Sequence, residues 1–534
     1  MPDIQELIDK AVTQGKKEVA IPAGTYYLSP GKTGAHISLA NLHGFRINAA
    51  GVRLVCRERS TAISIVNCSQ VLISGFVIDY QPMLYTQGDV ISVSDDGAYC
   101  DIRIHPGYLT EAIDSSSVEV YEGRTRQLKT SVPTLFNRQI EKTGVDLFRI
   151  YQTRPFAGTV HPGDQIVLCY AARRPHGIYL YRSAAITLRA TVIHAAPVFA
   201  IYEDQCSGNL YQGIQITPGE PPAGATEPQL RSATADGIHS NAAEKGPVIR
   251  DCLIENNGDD GIAIHGNAHF AVGSSGHDLT LLLKYNAREI KVGDELVGLQ
   301  PDGSLLFSAR VTGMKEIPAD EQARYDSLKS SLLSTVYRPD AFHGYQHYQL
   351  DRPVTVPAGC IVFSPDHQGN GFRILNNVIR NKRARGILVN ASHGMVKGNT
   401  ISGVQMAAIA FCPDYRWMEP GYSDHISIRN NRISHCNFNP TEPLNPQAGV
   451  ISVSAASVDG RSIGQAIVHR HISIRGNRLT GCSGIQVLVT SSTGINVHRN
   501  VIKDPNRDRR DHGSALGLSS DRWVLIRPAA GTDR

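Results

Sequence analysis

The chain has 534 residues, more than one globular core usually organises, so several domains or one elongated solenoid are expected. Its 53 Lys and Arg nearly balance 49 Asp and Glu, which removes any electrostatic case for nucleic acid or an anionic membrane surface as partner. No run approaches the roughly 20 apolar residues of a membrane span. The N-terminal segment MPDIQELIDKAVTQGKK has no apolar leader region, so a cytoplasmic location is expected, the alternative being an exported protein whose leader lies outside this sequence.

Residues 1–81 begin with apolar positions Ile4, Leu7, Ile8 and Val12, the spacing of a short amphipathic helix. A helix there would cover the open end of a stack of strands. AISIVNCSQVLISGFVIDY, from Ala62 to Tyr80, then alternates apolar and polar residues at a period of two. Over 82–172 the rhythm changes to longer segments such as GDVISVSDDGAYCDIRI and HPGDQIVLCY, which predict an inserted, antiparallel, β-barrel-like module. Short strands resume over 173–267. A second β module is predicted over 268–365, with a hairpin turn at Pro-Asp-Gly-Ser and a helical linker, ADEQARYDSLKSSLLSTV.

Over 366–506 the repeats are regular. HISIRNNRISHC and HISIRGNRLTGC agree at 8 of 12 positions and lie 471 − 425 = 46 residues apart, two periods of 23. A period of that length is the mark of a solenoid in which each repeat is one coil. The expected fold is therefore all-β, a right-handed parallel β-helix by the crossover rule. It carries an N-terminal capping helix, two inserted modules and a charged tail over 507–534. Ten cysteines are scattered singly with no CxxC spacing, which argues for core cysteines over zinc ligands or a disulfide framework.

The chemistry concentrates in ADGIHSNAAEKGPVIRDCLIENNGDDGIAIHG, Ala235 to Gly266. Asp236 and Asp259 are 259 − 236 = 23 residues apart, so neighbouring coils should bring them together with Asp260 beside them. Three carboxylates at one spot raise at least one pKa and are enriched at active sites. They are the candidate catalytic residues, although Asp and Asn at coil corners also serve simply as turn caps. His239 and His265 follow the acids and are candidate substrate contacts. Arg173, Arg174 and His176 open a coil before them, and Arg383 and Arg385 open one after. Arginine suits sugar hydroxyls or a carboxylate. Trp417 and Glu419, in the irregular DYRWMEPGY loop, are candidates for stacking on and bonding a sugar ring. Metal at the acids is disfavoured, because calcium-binding solenoids repeat their Gly/Asp signature over many coils.

The run Asp236-Gly-Ile-His…Gly-Asp259-Asp260-Gly-Ile-Ala-Ile-His-Gly, with RRPHGIYL, RARGILVNASHGMVKGN and DYRWMEPG, resembles glycoside hydrolase family 110, the β-helical exo-acting α-1,3-galactosidases. More distantly it resembles family 28, the polygalacturonases, though the His and Arg/Lys signatures that bind galacturonate are not evident. The resemblance implies an inverting hydrolase of terminal α-linked galactose with no cofactor. It gives the general acid to Asp259 and the water-holding base to Asp236 and Asp260. The carbohydrate is then the only partner expected, with no nucleic acid and no membrane; oligomeric state is unreadable, a homodimer being one option. The rivals are a glycosidase of other specificity, a β-helical polysaccharide lyase or epimerase, and a non-catalytic carbohydrate-binding solenoid.

Overall fold

A computed structural model describes residues 3–111, 118–129, 132, 137–152, 156, 158–169, 175–285, 289–336, 338–438, 449–457, 466–505 and 524–528. The chain coils through a single 31-stranded parallel sheet system that runs along three faces. The first face stacks Ile178–Tyr181, Ile201–Asp204, Ile238–Asn241, Ile262–His265, Ile387–Val389 and Ile409–Phe411 rung on rung. The second stacks Thr187–Arg189, Leu210–Gln212, Val248–Arg250, Arg373–Leu375, Met395–Lys397, Asp424–Arg429 and His469–Arg475. The third runs from Val192–Ile193 through Val378–Lys382 to Val501–Lys503. Ile178, Ile201, Ile238, Ile262, Ile387 and Ile409 occupy one column and are all buried. Alternation at a period of two therefore sends every second side chain into a dry, stacked core. This is the parallel β-helix that the periodicity predicts.

The open end is covered as the sequence suggests. The helix Ile4–Thr13 is capped by the Asp3 carboxylate, which accepts from Glu6 N at 3.1 Å, and it buries Ile4, Ile8 and Ala11. Gln5 turns its amide to the adjacent strand edge, donating to Ser38 O at 3.0 Å and accepting from Ser38 N at 2.8 Å. One side chain thus satisfies both backbone groups that Ser38 turns toward the helix. Two antiparallel units branch from the coils. Strands between Tyr85 and Cys169 form a six-stranded antiparallel sheet. Strands between Ala268 and Phe363 form a closed six-stranded barrel, with the helix Ala319–Leu332 in one connection. Nine of the ten cysteines are buried, the tenth is half-buried, and all ten are free thiols.

One corner carries a ladder of buried amides through Asn377, Asn399, Asn431, Asn477 and Asn500. Each residue's backbone N–H and side-chain Nδ2 donate to the Oδ1 of the next, at 2.9 to 3.0 Å. Each Nδ2 also reaches a core carbonyl, as Asn399 does to Ile374 O at 3.0 Å. Asn399→Ala strips the acceptor from two donors on Asn377 and leaves a buried hole. It is expected to cost about 1–3 kcal/mol, read as a lower denaturation midpoint. Asn500→Ala, at the half-buried end of the ladder, should cost less.

Candidate active site

The six residue pairs that begin the first-face strands are His176-Gly177, Phe199-Ala200, Asp236-Gly237, Asp260-Gly261, Arg385-Gly386 and Ala407-Ala408. Ile238 pairs with Ile262, a register of 262 − 238 = 24, so Asp236 is level with Asp260 (236 + 24) and not with Asp259 as a strict 23-residue period predicts. Coil lengths vary because each turn carries its own loop, and the sheet register, not the mean period, sets which residues are neighbours. Ile262 pairs with Ile387, which puts Arg385 level with Asp260 on the following rung. The column therefore reads Asp236, Asp260, Arg385. The glycines after these three residues are required by close approach. A Cβ at Gly237, Gly261 or Gly386 would lie 2.5 Å from the carbonyl oxygen of the next rung.

Around this column the structure brings together all three acids, His239, His265, Arg383, Arg385 and Glu419. Asp260 is buried, and its Oδ1 accepts from Arg385 Nε at 2.7 Å and Arg385 N at 3.0 Å. Asp259 has the most exposed carboxyl of the three, 40% accessible against 6% for Asp236 and 4% for Asp260, and Arg383 Nη2 lies 3.4 Å from its Oδ2. Asn257 holds the turn between them, donating from Nδ2 to the carbonyls of Ala235, Asp259 and Asp260 at 3.0, 3.0 and 2.8 Å.

The charge states of the acids differ. Burial, followed by the charges of Asp259 and Asp260, pushes the Asp236 carboxyl well above the usual carboxylate range. Burial also pushes Asp259 upward, but the cations of Arg383, Arg385, Lys382 and Arg231 outweigh it and hold that carboxyl below its ordinary value. Burial drives His239 down to about 4, and drives His265 well below the ordinary histidine value.

With both rings taken as neutral, as their burial favours, a chain of hydrogen bonds assigns the protons. His265 Nδ1 must donate to Gly266 O, 2.9 Å away, because a carbonyl only accepts. The neutral ring then presents a bare Nε2, so His239 Nε2, 3.0 Å away, must be its donor. His239 Nδ1 is left as an acceptor, and the Asp236 carboxyl donates to it from Oδ2 at 2.7 Å. The network thus assigns a proton to Asp236, in agreement with its burial. In the free protein burial and this network favour a proton on Asp236, while the neighbouring cations favour the ionised form of Asp259.

His176 stacks on Phe199 at 5.0 Å between ring centroids, and Phe199 stacks on His239 at 4.4 Å, so His176 supports the site through an aromatic pile. Glu419 Oε1 is 3.5 Å from His265 Nε2, and burial lifts its carboxyl to about 7 against the opposing charge of Lys284. The Trp417 ring is part-exposed on the same loop, while its carbonyl accepts from Lys284 Nζ at 2.7 Å. Arg173 and Arg174 lie outside the described residues.

Five site residues escape sequence reasoning. Lys382 is fully buried, donates from Nζ to the carbonyls of Arg383 and Arg385 at 2.5 and 2.9 Å, and is lowered to about 8 by burial against the attraction of Asp260, Asp259 and Asp236. Its place in NKRARG, beside two arginines already singled out, was the available signal. Asn257, two residues before Asp259, had a similar one. Arg231, paired with Glu119 from the antiparallel sheet, and Lys284, from the barrel, had none. Through Glu119 and Lys284 both branching units reach the site.

A parallel β-helix presenting clustered acids, of mixed charge state and flanked by cations, is a frame for acid–base chemistry of the kind glycoside hydrolases perform. Its similarities fall in that class: the relatives are α-1,3-galactosidases, and they place the chain among the glycoside hydrolases. The α-1,3-galactosidase B of Parabacteroides distasonis is 22% identical over 511 residues, covering 89% of this chain and 77% of that protein. The α-1,3-galactosidase B of Akkermansia muciniphila is 24% identical over 468 residues, covering 80% of this chain and 55% of that protein. The α-1,3-galactosidase A of Shewanella woodyi is 21% identical over 444 residues, covering 77% and 68%. Among solved structures, the polygalacturonase of Erwinia carotovora ssp. carotovora is 11% identical over 98% of this chain and 94% of that one, with a TM-score of 0.40. No family model matches the chain.

Proposed function

We propose that this chain removes a terminal α-linked galactose, in an α-1,3 linkage, from an oligosaccharide or polysaccharide, and that it inverts the anomeric centre. The observation that carries the reading is the meeting of Asp236, Asp259 and Asp260 on adjacent coils beside Arg383 and Arg385, in a chain similar over most of its length to α-1,3-galactosidases. Asp259 is the acid that meets the glycosidic oxygen, since its carboxyl is the one open to a substrate. A sugar ring seated on it would remove its remaining water and draw Arg383 toward a hydroxyl. Both changes favour the protonated form. Asp260, held by Arg385, then deprotonates the attacking water on the opposite ring face, which Asp236 helps to orient. The proton assigned to Asp236 favours a second reading, in which Asp236 is the acid and Asp259 the base.

A screen of nitrophenyl α- and β-glycosides and α-1,3-linked galactosyl oligosaccharides tests the activity, with NMR reading the first-released anomer. The expected product is free galactose alone, appearing first as the β-anomer. Release of the α-anomer first would rule out inversion, release of longer fragments would rule out exo action, and cleavage confined to non-galactosyl substrates would refute the specificity. Loss of uronic-acid polymer cleavage on adding a chelator would point to a lyase instead.

A further inference from the structure

The two repeats HISIRNN and HISIRGN place histidine at a corner that the proposed hydrolysis does not use. Ser427 pairs with Ser473 on the second face, and Met395 pairs with Ser427, so His393, His425 and His471 form one column on three consecutive rungs. All three sit in the left-handed backbone region, at φ of 57°, 54° and 50°. The same column carries Gly371 on the rung before and Gly494 on the rung after, at φ of 79° and 65°. The turn therefore asks for glycine or asparagine, and nothing in the backbone calls for imidazole.

The rings converge on one carboxylate. Asp424 Oδ1 accepts from His471 Nδ1 at 2.7 Å and from His425 Nδ1 at 2.9 Å. One ligand atom from each of these three residues lies within 4.8 Å of the others. The two ring centroids lie 4.6 Å apart with the rings tilted by 37°, and His393 stacks on His425 at 5.3 Å. The backbone of Asp424 is anchored on both sides: Asp424 N donates to Ser392 Oγ at 3.0 Å, and His393 N donates to Asp424 O at 2.7 Å. Both liganding rings are more than half exposed, so the approach from solvent is open.

We propose that Asp424, His425 and His471 form a surface site for a divalent transition-metal ion of the zinc class. Two imidazole nitrogens and one carboxylate oxygen leave a fourth, water-filled position. Bonds of about 2.0–2.2 Å to such donors are those of tetrahedral zinc. Calcium and magnesium would want oxygen ligands throughout. On binding, the metal takes the place of the Nδ1 protons that Oδ1 now accepts: a neutral ring moves its single proton to Nε2 by exchange with solvent, and a ring that was charged keeps its Nε2 proton and releases the Nδ1 proton to solvent. The rungs are covalently continuous and held by the sheet ladder, so the ligands are organised before the ion arrives.

The test is calorimetric titration of the full chain, without an affinity tag and after stripping with a chelator, with zinc chloride. One saturable equivalent is expected, with calcium chloride giving none. His425→Asn and His471→Asn, which suit the left-handed backbone but lack a ring, should each weaken zinc binding by about tenfold or more. His435→Asn, at an exposed left-handed histidine outside the column, should leave it unchanged. Circular dichroism of the variants, matching the parent, separates loss of a ligand from loss of fold. No saturable zinc uptake, uptake unaffected by either ligand variant, or calcium bound as tightly as zinc would each overturn the proposal.

Discussion

Asp259→Asn is expected to lower kcat on an α-1,3-galactosyl disaccharide by about 10²–10⁴-fold, the usual contribution of a positioned proton donor, while the fold is retained. Asparagine has the same outline, the carboxyl is 40% exposed, and its one ion pair among the described residues is the 3.4 Å approach of Arg383, so the substitution leaves no buried vacancy. The dependence on leaving group makes the result diagnostic. A nitrophenol departs with little help from an acid, so loss of the acid should hurt a nitrophenyl galactoside far less than the disaccharide. Loss of the base slows both substrates alike. Asp259→Asn should therefore show the leaving-group dependence and Asp236→Asn should not. If the dependence appears at Asp236 instead, the proton assigned there is the catalytic one and the roles exchange. If Asp259→Asn turns over the disaccharide at the parental rate, the site is not a hydrolytic triad.

The coiled fold was legible in the sequence because each rung repeats the same local demand. Apolar residues alternate inward, and an Asn or Gly takes the left-handed corner, so HISIRNNRISHC and HISIRGNRLTGC announce their stacking without any long-range information. The acids were legible for the same reason, since Asp-Gly-Ile recurs at Asp236 and Asp260 on the template that Arg385-Gly386-Ile387 continues. The pairing was not. A mean period of 23 aligns Asp236 with Asp259, whereas the actual turn has 24 residues, and one residue decides which acid faces its neighbour across the rung. The charge states were less legible still. They depend on Arg231, from the loop between Ile216 and Ile238 and paired with Glu119 of the antiparallel sheet, on Lys284 of the barrel, whose charge lowers His239 and His265, and on the bond that links those two rings. Periodicity carries no information about which loop side chains fold back over the coil, so cations contributed from the branching units had no local signature.

Replacing Arg385 with Met should be the most damaging single change at the site for stability as well as activity. The Arg385 side chain is 13% exposed and the Asp260 side chain 4%, so their contact is shielded from solvent screening. Removing one member of such a pair strands a charge with no partner and typically costs about 3–5 kcal/mol. The expected result is a marked fall in the denaturation midpoint together with hydrolysis near background, because Asp260 can no longer be held in place as part of the base. The double variant Asp260→Asn with Arg385→Met separates these effects. The backbone N–H of residue 385 still has an oxygen to donate to, because Asn keeps the acceptor that now receives it at 3.0 Å. With neither charge left to strand, the double variant should recover most of the lost stability, and the two substitutions should be strongly non-additive. Hydrolysis should not recover, since the carboxylate itself is gone. Equal stability of Arg385→Met and the parent would show that Lys382 and Arg383 suffice to balance the acids, and that the ladder Asp236, Asp260, Arg385 is not the electrostatic unit on which the site is built.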